Sequence, residues 1–327
     1  MIYYKVIIVG GGPAGSSCAW RLKENEIDCL ILDKQQFPRT KLCAGWITPR
    51  VINDLRINLD DYPHGIRKFN KFNIHIFNKE IILKVHQYAI RRIEFDSWLL
   101  QRSGVAINTH EVKDIKKDGD YYVVDDQYRC KYLVGAGGTH CPVYRTFFKQ
   151  INPHAKDHLV VTLEEEFSYD YQDVNCHLWF LINKLPGYSW YVPKSDGYLN
   201  IGIGGFFEKL KAGKDDIKDQ WQFFTQELER LSLIRNHHFD AKGYSYYIRN
   251  GVDSVHLDSI FLIGDAAGLA TRDMGEGIGP AVRSGILAAE AIISGKKLFL
   301  NSVKKNSFPR YSTFCKLLIT YLFNLKM

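Results

Sequence analysis

Apolar residues follow three different rhythms along this chain. Val6–Val9 are apolar without a break and stop at a run of glycines, which predicts a short strand buried on both faces of a parallel sheet. CLILD (29–33) and Ile260–Ile263 predict two more strands of the same kind. The segments 71–90, 158–167, 177–182 and 198–206 place apolar residues at alternate positions, the pattern of strands in a mixed sheet. Helical spacing governs the rest. It predicts helices over Ser16–Leu22, over 215–231 through Ile217, Trp221, Phe224 and Leu228, and over Ala281–Ile293. The tail adds one through Phe314, Leu317, Leu318, Tyr321, Leu322 and Leu325.

Two of these strand-to-helix junctions are rich in glycine. Gly10, Gly12 and Gly15 form G-x-G-x-x-G directly after Val6–Val9, and the next strand ends in Asp33. Strand, glycines, helix, strand and terminal acid in that order are the dinucleotide-binding arrangement. One glycine makes the turn, one lets the backbone approach a pyrophosphate, and one lets helix and strand pack closely. The helix N-terminus offers N–H groups to the phosphates, and Asp33 stands where an acid meets the adenosine ribose. An acid there disfavours a ribose 2′-phosphate. The motif alone does not choose between NAD and FAD.

The second junction lies near the other end. Five glycines fall between Gly264 and Gly279, wrapped around one aspartate that reads as buried, Asp265. If the first site holds FAD, Asp265 can accept hydrogen bonds from ribityl hydroxyls. The amides of Gly277 and Ile278 open a helix that can stabilise negative charge on a reduced flavin. "GIGG" at 202–205 lacks a following helix and acid and is not a second nucleotide site.

Composition narrows the class without choosing the chemistry. With 46% hydrophobic and 24% charged residues, the chain reads as globular and long enough for a sizeable core. The net charge of +7 is scattered apart from KKLF (296–299) and VKKN (303–306), which argues against a nucleic-acid face. Seven cysteines, an odd number with no C-x-x-C pair, argue against a disulfide scaffold or zinc site and for a reducing compartment. His140 and Cys141 are adjacent with no third partner nearby, so loop packing is the better reading than a metal or nucleophilic site. No metal is expected. There is no signal-peptide pattern at the start and no run of roughly 20 apolar residues. The expected location is cytoplasmic.

The motifs together resemble the FAD-dependent geranylgeranyl reductase family, within the flavoprotein group shaped like p-hydroxybenzoate hydroxylase. The matching stretches are VGGGPAGS (9–16), KLCAGWITPRV (41–51), RIEFDSWLL (92–100), LVGAGGTHCPVYR (133–145), PGYSWYVPK (186–194) and the glycine-rich 264–292. Residues 206–255 and the tail are not covered. The resemblance implies an α/β fold, a Rossmann-like FAD-binding domain (parallel sheet with helices) interleaved with a mixed-sheet substrate domain. The expected boundaries are 1–65, 91–155 and 240–300 for the first, 66–90 and 156–239 for the second, and a helical tail at 301–327.

Carried over residue by residue, the resemblance implies that Gly10, Gly12, Pro13, Ala14, Gly15, Asp33 and Lys34 hold the ADP half of FAD. Arg92 would lie toward the flavin, Gly264 and Asp265 at the ribityl chain, and Gly277 and Ile278 at the pyrimidine edge. Cys43 and Gly45 match a C-G-G turn next to the flavin ring, which would make Gly45 a cofactor-binding residue, with Ala44 replacing the middle glycine. Tyr188, Trp190 and Pro193 match an aromatic Y-x-W-x-F-P segment that lines the substrate pocket, with Val192 in place of phenylalanine. Trp179, Phe180, Tyr191 and Phe206 cluster in the same region, and part of this aromatic set is sheet core.

The implied activity is that of an FAD-dependent oxidoreductase reducing a C=C bond of an isoprenoid-like or other apolar small molecule. Cys43 is the candidate to position or protonate substrate, with a structural cysteine in a tight turn as its alternative. A flavin-dependent monooxygenase and a non-catalytic flavin-binding protein are the rival functions. One departure bears on the electron donor: Gly137-Gly138 stand where the wider group carries Asp-Gly, which leaves NAD(P)H and a reduced ferredoxin-like carrier protein both open. The tail helix can cover the pocket, pair with another chain or touch a membrane, peripheral membrane contact being the weakest of these because basic residues are few.

Overall fold

A computed structural model describes residues 1–76, 79–250 and 254–308 of the chain. The tail helix expected over 312–327 lies outside them. Contacts divide the chain into two units. The first comprises Met1–Arg39, Ile93–Ala155 and the described residues from Tyr246 on; the second comprises Thr40–Arg92 and Lys156–Ser245.

In the first unit, strand Ile2–Val9 lies between Cys29–Asp33 and Tyr128–Gly135, parallel to both. Ala106–Thr109 extends the sheet beyond Cys29–Asp33, and Ile260–Leu262 extends it beyond Tyr128–Gly135, again in parallel. A hairpin, Ile115–Asp118 with Tyr121–Val124, pairs antiparallel with Tyr128–Cys130. The uninterrupted apolar run is explained by this placement, since Val6, Ile7 and Ile8 have no exposed surface. Helix Pro13–Lys23 begins three residues before the sequence reading places it, because proline at the first helical position lacks only an N–H that would be unpaired anyway. It packs against helix Ile278–Ser294 so closely that a Cβ on Gly285 would lie 2.2 Å from the Ala14 carbonyl oxygen.

In the second unit, eight strands form one mixed sheet, in the order 242–247, 159–168, 198–206, 187–193, 176–180, 67–76, 79–89 and 46–47. Cys176–Phe180 and Arg67–Ile76 are parallel, and the pairings flanking them are antiparallel. Period-two alternation gives the sheet two faces. One carries Trp179, Tyr191, Leu199, Ile201 and Ile203, and receives Trp221, Phe224 and Leu228 of the amphipathic helix Ile217–Arg230. The other carries Glu164, Gly202, Trp190 and Leu178 in one cross-strand row, with Tyr188 and Phe180 in the next. Trp179, Tyr191 and the helix they meet are therefore core, while Tyr188 and Trp190 belong to the opposite face. Phe206 is buried at the end of its strand.

Residues 40–65, with 91–92 and 240–245, depart from the expected boundaries, falling in the second unit rather than the first. Long-range pairing decides this for 40–65. Trp46–Ile47 joins the edge of the second sheet against Tyr88 and Ala89, which no local pattern in 40–65 signals. His140 and Cys141 take no part in a metal cluster among the described residues; Cys141 is buried in its loop against Gly137.

Candidate functional site

The first unit gathers Gly10, Gly12, Pro13, Ala14, Gly15, Asp33, Gly264, Asp265, Gly277 and Ile278 around two helix N-termini. The glycines of the first turn do separate work. A Cβ on Gly15 would lie 1.9 Å from the Gly10 carbonyl oxygen, so Gly15 is demanded by packing. A Cβ on Gly12 would meet only a guanidinium nitrogen of Arg39, at 3.4 Å. Gly12 is also the N-cap of helix Pro13–Lys23 and makes no side-chain cap. Its open backbone and the uncapped first turn fit a pyrophosphate, whose charge the helix dipole favours.

Asp33 is buried at the end of its strand. One carboxylate oxygen accepts the Gly11 N–H at 2.7 Å, and the other accepts the Gln35 N–H at 2.9 Å. These bonds fix the acid against the glycine turn, and each oxygen keeps a second lone pair for a ribose hydroxyl. Lys34 is exposed and makes no hydrogen bond or ion pair among the described residues. Arg39 was not anticipated from the sequence. Its guanidinium stands 4.7 Å from the centre of the Phe37 ring and 3.6 Å from the buried Asp96 carboxylate, beside Gly12. No motif spacing marks it; only the fold brings this cation to the turn.

At the second junction, Gly264 donates its N–H to Ser284 Oγ at 3.0 Å and begins a short 3-10 turn that carries Asp265. Asp265 is half-buried rather than buried, because its carboxylate opens beside Gly277: a Cβ there would lie 3.2 Å from Asp265 Oδ1. Gly277 caps helix Ile278–Ser294 without a side-chain bond of its own; the Glu276 carboxyl accepts the Gly279 N–H, which leaves the Gly277 and Ile278 amides as the donors at the opening of this helix. A carboxylate acceptor beside such donors suits the hydroxyl-bearing chain and electron-rich edge of a flavin. These residues fit FAD.

The second unit holds Cys43, Gly45, Arg92, Tyr188 and Trp190. Cys43 Sγ accepts the Gly45 N–H at 3.4 Å, closing a tight turn. Lys194, missed in the sequence, organises that turn: its fully buried Nζ donates to the carbonyls of Ala44 and of Ile90, the latter at 2.8 Å. Burial pulls the Lys194 ammonium below the usual lysine range, opposed by nearby Glu166, Cys43, Glu164 and Cys176. Trp190 Nε1 donates to Asn200 Oδ1 at 2.7 Å, which fixes the indole on its face. Trp46 stacks 6.5 Å from Tyr188, and the Tyr188 and Trp190 rings are 5.7 Å apart, so three aromatic rings line one apolar surface.

Glu164 stands beside them and was also missed. It is 3% exposed, and burial pushes its carboxyl up to about 7, against the pull of Lys194, Lys41 and Arg92 and with the push of Glu166. In the sequence it is the first of three glutamates in LEEEF, inside the alternating strand 158–167, and nothing there sets it apart from the other two. Its only signal is pairing with Gly202, legible once the register is known.

Residues 8–78 match the family model of the NAD(P)-binding Rossmann-like domain. An uncharacterized protein of Methanosarcina barkeri is 31% identical over 94% of this chain and 77% of its own length. Digeranylgeranylglycerophospholipid reductase 1 of Methanopyrus kandleri is 26% identical over 89% of this chain and 80% of its own. A solved structure of a geranylgeranyl bacteriochlorophyll reductase-like protein from Thermoplasma acidophilum shares the fold, with TM-score 0.78 and 19% identity over 98% of this chain and 84% of that one. With its nucleotide cradle, its mixed sheet and these relatives, the chain belongs to the FAD-dependent geranylgeranyl reductase family.

Proposed function

We propose that this protein is an FAD-dependent reductase that saturates carbon–carbon double bonds of an apolar, isoprenoid-like molecule. The observation that carries the reading is the open, uncapped turn at Gly12, held against Asp33, in a chain of this family. Gly12 and the first turn of helix Pro13–Lys23 would hold the pyrophosphate, Asp33 the ribose, Asp265 the ribityl chain, and the Gly277 and Ile278 amides the pyrimidine edge. When bound and reduced, the flavin supplies a hydride.

The remaining work falls to the protein. The rings of Trp46, Tyr188 and Trp190 supply an apolar surface of the second unit on which a polyprenyl chain can lie flat, excluding water and fixing the double bond. Names such as digeranylgeranylglycerophospholipid reductase among the relatives support an isoprenoid substrate. Cys43, tied by its Sγ to the Gly45 amide, shapes the turn that Lys194 braces. Electrons would come from NAD(P)H visiting transiently or from a reduced ferredoxin-like protein.

The absorption spectrum of the purified protein, followed without oxygen, tests the reading. A flavin spectrum that bleaches with NADPH, NADH or reduced ferredoxin and returns on adding geranylgeranyl diphosphate is the expected result. A protein that is colourless and takes up no FAD on reconstitution would overturn it. Oxygen-dependent formation of a hydroxylated product would transfer it to the monooxygenases.

A further inference from the structure

The reduction of a double bond needs a proton as well as a hydride, and the second unit holds a buried acid on the sheet face that carries Trp190 and Tyr188. Glu164 pairs across the sheet with Gly202, and Gly202 pairs with Trp190. The missing side chain at Gly202 lets its two neighbours close over it. A Cβ there would lie 2.2 Å from the Trp190 ring and 2.8 Å from Glu164 Cβ. Glu164 and Trp190 thus flank Gly202 on one face of the sheet, with Tyr188 in the next row of that face and Trp46 stacked on Tyr188.

Its hydrogen bonding is incomplete. Glu164 Oε1 is fully buried and has no partner among the described residues. The Lys194 ammonium is engaged with the carbonyls of Ala44 and Ile90, Trp190 Nε1 with Asn200, and Glu166 with Arg91 at 2.9 Å. An orphaned buried acceptor costs about 1–3 kcal/mol, so this oxygen is a ready partner for a group brought to that face of the sheet.

We propose that Glu164 is the acid that protonates the substrate, giving its carboxyl proton to the alkene carbon that does not receive the hydride. The proposal rests on the reductase reading above. The hydride brings the two electrons given up by reduced flavin and forms one C–H bond. The alkene's own π pair takes the Glu164 proton to form the other. The alkene is reduced by two electrons, and the glutamate carboxylate left behind regains its proton from solvent. Burial keeps the acid protonated near neutral pH, with Lys194, Lys41 and Arg92 favouring its release and Glu166 opposing it.

The test compares wild type with Glu164→Gln, each loaded with FAD and reduced by dithionite without oxygen, then mixed with geranylgeranyl diphosphate. Flavin that stays with the protein through gel filtration, together with a wild-type melting curve, establishes that the variant is folded and loaded. The expected result is a fall of about 100-fold or more in the rate at which alkene restores the flavin spectrum. Infrared difference spectra between about pH 6 and about pH 9, taken without substrate, should contain a protonated-carboxyl band that Glu164→Gln lacks. Equal rates in the two proteins would overturn the proposal and leave the reductase reading standing. A wild type that binds FAD yet never reacts with the alkene would sink both. If the variant does not fold, wild type alone decides: its rate must fall as pH rises through about 7, in step with that band, and a flat profile rejects the role.

Discussion

Gly45 and Lys194 fill each other's space: a Cβ on Gly45 would lie 2.5 Å from the Lys194 Nζ. The same Cβ would lie 2.2 Å from the Ile90 carbonyl oxygen, and Gly45 has a φ of +72°. The ammonium is the end of a flexible chain and can retreat; the carbonyl cannot. Gly45→Ala should therefore destabilise by more than the about 1–2 kcal/mol that the left-handed backbone alone costs. Adding Lys194→Met should give no rescue. Lys194→Met by itself orphans the Ala44 and Ile90 carbonyls and should cost about 2 kcal/mol. Thermal unfolding of the three variants checks the ordering, and rescue in the double variant would contradict it.

Glu164 also sets a pH dependence of stability. Its folded carboxyl, near 7, lies above the ordinary glutamate value, so the folded state binds the proton more tightly than the unfolded chain. The associated stability is fully present below the unfolded value of about 4.3 and is lost as pH rises through about 7, a change on the order of 3 kcal/mol. Urea midpoints at about pH 4.5 and about pH 8 should show a smaller fall in Glu164→Gln than in wild type. Parallel falls would mean that the carboxyl titrates normally.

The two glycines of the nucleotide turn should separate binding from folding. Gly15→Ala drives a Cβ to 1.9 Å from the Gly10 carbonyl oxygen and should lower the melting temperature sharply. Gly12→Ala touches only the movable end of Arg39, so the apoprotein should melt close to wild type. Its added methyl stands where the pyrophosphate would approach, and retained flavin should fall at least about tenfold. Flavin content and melting temperature, measured on both variants, test the contrast; Gly12→Ala with full flavin would remove the pyrophosphate from this turn.

What the sequence revealed was local. Val6–Val9, the glycine turn, Asp33 and the helix opened by Ile278 are each set by neighbours a few residues away, and each was legible from spacing. Glu164 and Lys194 were not. One sits in a run of three glutamates whose sidedness depends on pairing with Gly202, and the other follows strand Gly187–Pro193 and meets the carbonyls of Ala44 and Ile90, about a hundred or more residues away in sequence. Arg39 reaches Gly12 only through the fold, and residues 40–65 changed unit because Trp46–Ile47 pairs with a strand more than thirty residues on. Alternation located the sheet, but the register decided which face of it carries chemistry.

Asp273 ties a distant segment to the glycine-rich loop before helix Ile278–Ser294. One carboxylate oxygen accepts the Ser307 N–H at 2.8 Å and the Met274 N–H at 2.9 Å, and the other accepts the Phe308 N–H at 2.9 Å. Ser307 Oγ lies 2.8 Å from Thr271 Oγ1 and donates to Glu276 Oε2 at 3.1 Å. Two charge-assisted bonds to Ser307 and Phe308 together contribute about 3 kcal/mol, or about a hundredfold in a local opening equilibrium. Asp273→Ala should therefore speed hydrogen exchange at the Ser307 and Phe308 amides by about that factor and leave the central strand Ile2–Val9 protected. Glu276→Gln should do less, because burial raises the Glu276 carboxyl to about 6 and an amide oxygen still accepts the Ser307 hydroxyl. Mass-resolved exchange near neutral pH reads both variants. Unchanged protection at Ser307 and Phe308 in Asp273→Ala would show that other contacts hold the segment.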